Sequence, residues 1–442
     1  MRMSLLPLLI VHFLIPRAAP AVRPRATTTG AASRLPAAIT AKPPATGGLP
    51  LARALALARA HAPTVAAAAA RVKQARAAVA EHAAAWRPTI GLPLGYEHTD
   101  GGRFVANNGP DEYTLQAAIH IPLFDPARDA AYRSAKAKLA GARFNLEQAA
   151  RGVDRMTLAA FFGVLQAQQA LAVEQSGLET FQDEAAAARK RYSQGVGSRL
   201  DVDRARFAVA QQEAAVSIKQ ADFESASRQL ESLLGAPVQD PLALPPELPL
   251  ATGDLAVLAR TRRPEVEAAQ AQVRAAADSV ASARAARHWP AIGPDLVGGW
   301  DANGPPAGLA SQAGWSAGIG LTIPVYSGGA GAARVEEAVQ GEAVCRSNLA
   351  DVLRSLDLEV ADDHIAESSA ADQARLAARR VLLAHEELSM SRFGYQQGSV
   401  PLIEVLRTEQ AAIRAAADLA SARIDVELAR YRLAWDVGAP LQ

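Results

Sequence analysis

Two carboxylates stand at matched places in this 442-residue chain: Asp201, six positions after Gly195, and Glu404, six positions after Gly398. A tyrosine precedes each glycine by three, Tyr192 and Tyr395. A glycine in this setting stops one helix, and an acid just beyond it falls in the first turn of the next, where negative charge meets the helix dipole. That is a chemistry of charge placement rather than of bond breaking. Other candidate groups come to less. Asp362, Asp363, His364 and Glu367 put a His and a Glu three apart on one helix face, as carboxylate metal sites do. No second His/Glu pair accompanies them, and a solvated charged face explains them. Gly329-Ala330-Gly331 begins like a dinucleotide loop, but Arg334 stands where the third glycine belongs. Its first-half counterpart, Asp125-Pro126-Ala127, has no glycine at all. Cys345 has neither a partner thiol nor metal-ligand spacing around it. No serine, histidine and acid share a nucleophile-elbow context. These residues predict no enzyme, no cofactor and no resident metal.

The elements that carry the matched acids are written twice. Hydrophobic residues make up 50% of the chain but aromatics only 5%. Alanine fills the gap, and an Ala-rich chain reads as long, closely packed helices rather than a core of large side chains. A net charge of +1 and the lack of basic-aromatic platforms argue against a nucleic-acid partner. Pro63 and Pro264 each start an Ala-rich helix, with valines at the same spacing, Val72 and Val79 against Val273 and Val280. Each helix ends at a tryptophan-proline break, Trp86-Arg87-Pro88 and Trp289-Pro290. The pattern then alternates. Tyr113, Leu115, Ala117, Ile119 and Ile121 in the first half, and Trp315, Ala317, Ile319, Leu321 and Ile323 in the second, take every other place among small or polar residues. That period of two predicts strands apolar on one face, within hairpins at 89–123 and 291–325. Strands of ~10 residues suit a tilted membrane crossing.

Long proline-free runs follow, predicting helices over 127–192 and 333–393, each ~90–100 Å long at the α-helical rise. Leu158, Phe162, Leu165 and Ala172 mark the face of one; Leu349, Leu353, Leu356 and Val360 that of the other. Each stops at a Tyr-x-x-Gly turn, and return helices follow over 199–235 and 401–436. A return helix matches its long partner in length only when the next proline-started helix is added. Prolines 241, 245, 246 and 249 mark a connector over 237–253, dividing repeat 1 (49–236) from repeat 2 (254–440). At the N-terminus Arg2 precedes an apolar run from Leu5 to Ile15, and Ala19-Pro20-Ala21 offers a cleavage site, so 1–21 reads as a signal peptide. Residues 22–48, rich in Pro, Ala, Thr and Gly, read as a disordered lead-in. No later stretch has the uninterrupted apolar length of a membrane helix.

This order of helix, hairpin, long helix, Tyr-x-x-Gly turn and return helix resembles the TolC family of outer-membrane efflux proteins over nearly all of residues 50–440. The most specific strings are the turns from Tyr192 to Val202 and from Tyr395 to Val405, and the strand ends Pro122-Leu123-Phe124 and Pro324-Val325-Tyr326-Ser327-Gly328-Gly329. The resemblance implies a mainly α fold with a small β part. In it a homotrimer forms a long periplasmic α-helical barrel joined to a transmembrane β-barrel of ~12 strands, set in outer-membrane lipid. It implies a passive exit duct of a tripartite efflux or type I export system, for small molecules or polypeptides. The duct would sit in the bacterial outer membrane and extend into the periplasm. Its partners would be a periplasmic adaptor, or membrane fusion, protein and an inner-membrane pump of the RND or ABC type.

The resemblance also places residues. Glu404 matches an acid whose ring narrows the periplasmic entrance, with Asp201 its first-repeat counterpart. Helix-start electrostatics accounts for an acid at either place as well. Tyr395 matches a tyrosine of the links that hold the tip closed. The basic residue expected five positions later is Val400, and the second acid expected after Glu404 is Arg407. The closing bonds must therefore differ, with Arg392, Arg199 and Arg407 as the basic residues at hand. Gly195-Val196 and Gly398-Ser399 resemble the segment that meets the adaptor's helical hairpin, although C-capping needs the same glycines. A soluble periplasmic coiled-coil adaptor or scaffold is the other reading, and the two hairpins speak against it.

Overall fold

The structure is a computed structural model, and it describes residues 48–98, 111–238, 242–248, 253–304 and 310–439. The expected leader, nearly all of the lead-in, most of the first hairpin loop and parts of the connector lie outside the described residues.

The elements follow one order twice. The first half holds α1 (Leu51–His61), α2 (Pro63–Ala84), β1 (Thr89–Gly91), β2 (Leu94–His98), β3 (Asp111–His120), α3 (Pro126–Ser193) and α4 (Arg199–Leu234). The second holds α5 (Leu255–Arg262), α6 (Pro264–His288), β4 (Ala291–Gly304), β5 (Ala310–Thr322), α7 (Ala330–Gln396) and α8 (Leu402–Asp436). Two features go beyond the sequence expectation. Pro63 and Pro264 do not open the helical region; each follows a short helix. Ala62 and Arg263, the residues before them, are extended at ψ 118° and 127°, because a proline ring disfavours helical backbone in the residue it follows. The first strand is in two pieces, interrupted at Leu92-Pro93, since proline cannot donate to the ladder.

Helices α3 and α7 contain 68 and 67 residues, roughly 100 Å each at 1.5 Å per residue. Their return partners have 36 and 35. α4 lies along the turn-proximal half of α3, where Val202 and Ala205 meet Phe181 and Ala185. α6 lies along the sheet-proximal half. Ser134 donates to the Ala275 carbonyl and Ser282 to that of Ala127, both at 2.8 Å. Small residues make this approach possible: a Cβ built on Gly141 would touch the Ala271 methyl at 3.5 Å. The apolar interior is accordingly divided. One cluster gathers Leu158, Phe161, Phe162, Leu165, Leu230 and Tyr431 where α1, α3, α4 and α8 meet. A second surrounds Phe181, Leu402, Val405 and Ile413 near the turns, and a third joins Ala259 and Val266 to Leu356 and Val360. The connector packs at the level of the first cluster, where Tyr431 donates to the Pro246 carbonyl at 2.9 Å and the Ala243 amide to that of Leu49 at 3.2 Å.

α3 holds an 18-residue window of mean hydropathy 1.4, apolar enough to cross a membrane, but half of that window is buried within the protein. It is a core helix of this fold.

Candidate functional site

The strands form one antiparallel sheet in which β1 and β2 both pair with β3, then β3 with β4 and β4 with β5. The two halves of the chain are thus joined through β3 and β4, from Asp111 opposite Gly304 to His120 opposite Asp295. Register assigns the faces. Leu94 lies opposite Leu115, Leu115 opposite Trp300, Ile119 opposite Leu296, and Leu296 opposite Ala317. Directly paired residues share a face, so these apolar side chains form one continuous surface. It is open to the surroundings: Trp315 is 79% and Ile319 77% exposed, and Leu94 and Ile90 are similar. The opposite face carries Thr114, Gln116, His120, Asp295, Ser316 and Thr322, interspersed with glycines. His120 Nδ1 lies 2.7 Å from Asp295 Oδ1 on that face. Among the described residues β5 pairs only with β4, and β1 and β2 only with β3, so both edges of the sheet have unpaired backbone groups.

Opposite the sheet along the long helices lie the two turns. Gly195 and Gly398 take φ of +74° and +77°, a left-handed backbone that glycine enters without a Cβ clash. Capping is the same in both. The amides of Gly195 and Gly398 donate to the carbonyls of Tyr192 and Tyr395 at 3.0 Å. Those of Val196 and Gly197 reach Arg191, and those of Ser399 and Val400 reach Gly394. These bonds satisfy carbonyls that the helix end would otherwise leave bare. Gly195, Val196 and Gly398 are exposed, and Ser399 turns its hydroxyl back to the Gly394 carbonyl at 3.0 Å.

Each acid has a local partner. Asp201 accepts from the Ser198 hydroxyl at 2.8 Å while its amide donates back to that oxygen at 3.1 Å, so Ser198 caps α4 and the acid holds the capping hydroxyl in place. Glu404 lies 3.7 Å from Arg407 on the same helix, and both line a groove of about 630 Å³ between α4 and α8, with Leu200, Asp203 and Phe207. Tyr395 is half-buried with the Arg191 guanidinium 4.5 Å from its ring centre. Burial pushes its hydroxyl above the usual range, with Arg191 pulling the other way.

Of the three basic residues at hand near the turns, Arg199 and Arg407 pair within their own helices. Arg392 alone crosses between helices, to Glu409 of α8 at 2.9 Å and to Glu184 of α3 at 3.5 Å. Glu409 is 2% exposed, and burial pushes its carboxyl upward, partly offset by Arg392. Sequence reading missed Glu184 and Glu409. The available signal was that Glu409 falls at helical spacing among Leu402, Val405, Leu406 and Ile413, on a face that should be apolar. The acids weighed as a metal cluster disperse: Glu367 turns toward Arg430 at 3.6 Å, and Asp363 lies beside Asp436.

Comparison with known proteins places this geometry. The profile of the family described as Outer membrane efflux protein matches residues 54–236 and 255–438. The alkaline protease secretion protein AprF of Pseudomonas aeruginosa is 26% identical over 354 residues, 77% of this chain and 72% of that protein. The outer membrane efflux protein BepC of Brucella suis is 25% identical over 375 residues, 82% and 79% of the two chains. Among solved structures, the outer membrane protein VceC of Vibrio cholerae superposes with a TM-score of 0.75 at 19% identity. It covers 89% of this chain and 97% of its own.

Proposed function

The chain belongs to the outer membrane efflux protein family, and on that premise we propose that three copies close into a passive exit duct across the outer membrane. The observation that carries this reading is the sheet. Its apolar face is exposed, its other face is polar, and among the described residues both edges lack partners. Lipid leaves no backbone group unsatisfied without a cost of several kcal/mol, so such a sheet is viable in a membrane only as part of a closed barrel. Ten residues of β3, tilted ~40° at ~3.4 Å per residue, rise about 26 Å, close to the apolar band of an outer-membrane barrel.

The long helices carry the duct into the periplasm and end in the twin turns. There Glu404 and Asp201 line the entrance, Tyr395 and Arg407 belong to the closing contacts, and Gly195-Val196 and Gly398-Ser399 receive a periplasmic adaptor. An inner-membrane pump of the RND or ABC type completes the system, and the duct itself performs no chemistry. A soluble periplasmic adaptor has no use for a sheet with one exposed apolar face. Fractionation tests the reading. The protein should pellet with outer membranes, need detergent for extraction and run as a trimer that opens ion-conducting pores in planar bilayers. A monomer in the periplasmic wash would overturn it.

A further inference from the structure

Asp436, the last residue of α8, is completely buried. Its Oδ1 accepts from Arg263 Nη1 at 3.2 Å. Among the described residues its Oδ2 has no partner, and neither has Oδ2 of Asp363 on α7, the carboxyl it adjoins. Two orphan oxygens on neighbouring acids are both satisfied at once when one of the acids holds a proton. The surrounding charges leave room for that proton. Arg263, 5% exposed at the α5–α6 junction, already gives two bonds of 3.1 Å to Glu265 of α6 and one of 3.1 Å to Glu359 of α7. It also stacks on Trp435, 4.7 Å from the ring centre. From α3, Arg151 and Arg155 lie against the same indole at 4.9 and 5.2 Å, and Arg155 acts on Asp436 only through space. One guanidinium shared among three carboxyls does not neutralise Asp363 as well.

We propose that Asp436 carries a proton at Oδ2 and donates it to Asp363, forming a pH-operated clasp between the end of α8 and the middle of α7. Burial above all, then Asp363 beside it, pushes the Asp436 carboxyl up to about 8, while Arg263 and Arg155 pull it down. The folded value lies above the ordinary one, so the clasp contributes fully in acid. It is lost as pH rises through the folded value. Once the proton leaves, the buried Asp436 carboxylate faces the half-buried carboxylate of Asp363, and the end of α8 is pushed from α7. α8 is unbroken back to Leu402 beside the tip turn, so a release at one end of this rod bears on the other.

The test uses the full-length protein in detergent, with thermal midpoints measured from about pH 6 to about pH 9. Asp436→Asn keeps an acceptor for Arg263 and offers Asp363 an N–H donor at every pH. The wild-type midpoint should fall across this range, and the variant should lose most of that slope. A variant slope equal to wild type overturns the clasp. Should Asp436→Asn fail to fold, Asp363→Asn carries the same test, because its amide donates to Asp436 without a proton. Infrared difference spectra of the wild type decide independently. A protonated-carboxyl band that disappears toward alkaline pH supports the clasp, and its absence at neutral pH overturns it.

Discussion

Arg392 of α7 holds Glu409 of α8 through both carboxylate oxygens, at 2.9 and 3.1 Å. The two partners are unequal: Glu409 is buried, whereas Arg392 is half exposed and also faces Glu184. Removing the arginine strands a buried charge; removing the charge leaves an amide that can still accept from the guanidinium. Arg392→Ala should cost about 1–3 kcal/mol, below the range for fully buried pairs because water reaches the guanidinium. Glu409→Gln should stay within about 1 kcal/mol. Burial raises the Glu409 carboxyl, so the Arg392→Ala penalty should grow as pH rises above the ordinary carboxylate range. Denaturation of the detergent-solubilised protein at two pH values checks both signs; equal losses for the two variants would contradict them.

Gly177 sets how closely α3 and α8 approach. A Cβ there would lie 2.7 Å from Ile413 Cδ1 and 3.1 Å from Gln212 Nε2. Gly177→Ala should therefore destabilise by about 1–3 kcal/mol despite the better helix propensity of alanine. Ile413→Val removes the clashing methyl, so the double variant should recover part of the loss, a coupling of about 0.5–3 kcal/mol. Simple additivity in thermal melts would show that the helices shift apart instead.

The sheet and the turns were legible in the sequence for a local reason. Alternation names a strand face residue by residue, and the faces of β3 and β5 follow from Tyr113 to Ile119 and from Trp315 to Leu321 alone. Likewise a tyrosine three before a glycine marks a helix stop without reference to distant chain. What was not legible depends on contacts far apart in sequence. Nothing in the alternation says that β3 pairs with β4 and joins the halves into one sheet. Arg263 sits at the α5–α6 junction, Asp363 on α7 and Asp436 at the end of α8, and only packing brings the three together. Arg392 was weighed, but Glu184 and Glu409 became its partners through helix order rather than spacing.

The two faces of β5 should respond oppositely to charge. Ile319→Arg puts a guanidinium on the apolar face and should cost about 2–4 kcal/mol if that position lies near the bilayer midplane. Trimer in outer-membrane fractions should fall sharply. Ser316→Arg faces the polar side and should assemble normally while changing conductance. Equal assembly of both variants would mean that the exposed apolar surface does not meet lipid.

Glu404 and Arg407 give a prediction of opposite signs. They lie 3.7 Å apart, with Arg407 exposed and Glu404 half-exposed, so the pair adds little stability, and in the proposed entrance each charge would still act on ions. If the turns form the narrowest point, Glu404→Gln removes the acid and leaves Arg407 unopposed, which should lower the cation-to-anion permeability ratio. Arg407→Gln should raise it by a comparable factor, about sevenfold for a potential change near kT at the constriction, because cation and anion respond in opposite directions. Both shifts should shrink in concentrated salt, where the screening length falls to about 3 Å. Reversal potentials in planar bilayers under a potassium chloride gradient measure this directly. A common reversal potential for wild type and both variants would place the selective constriction elsewhere along the duct.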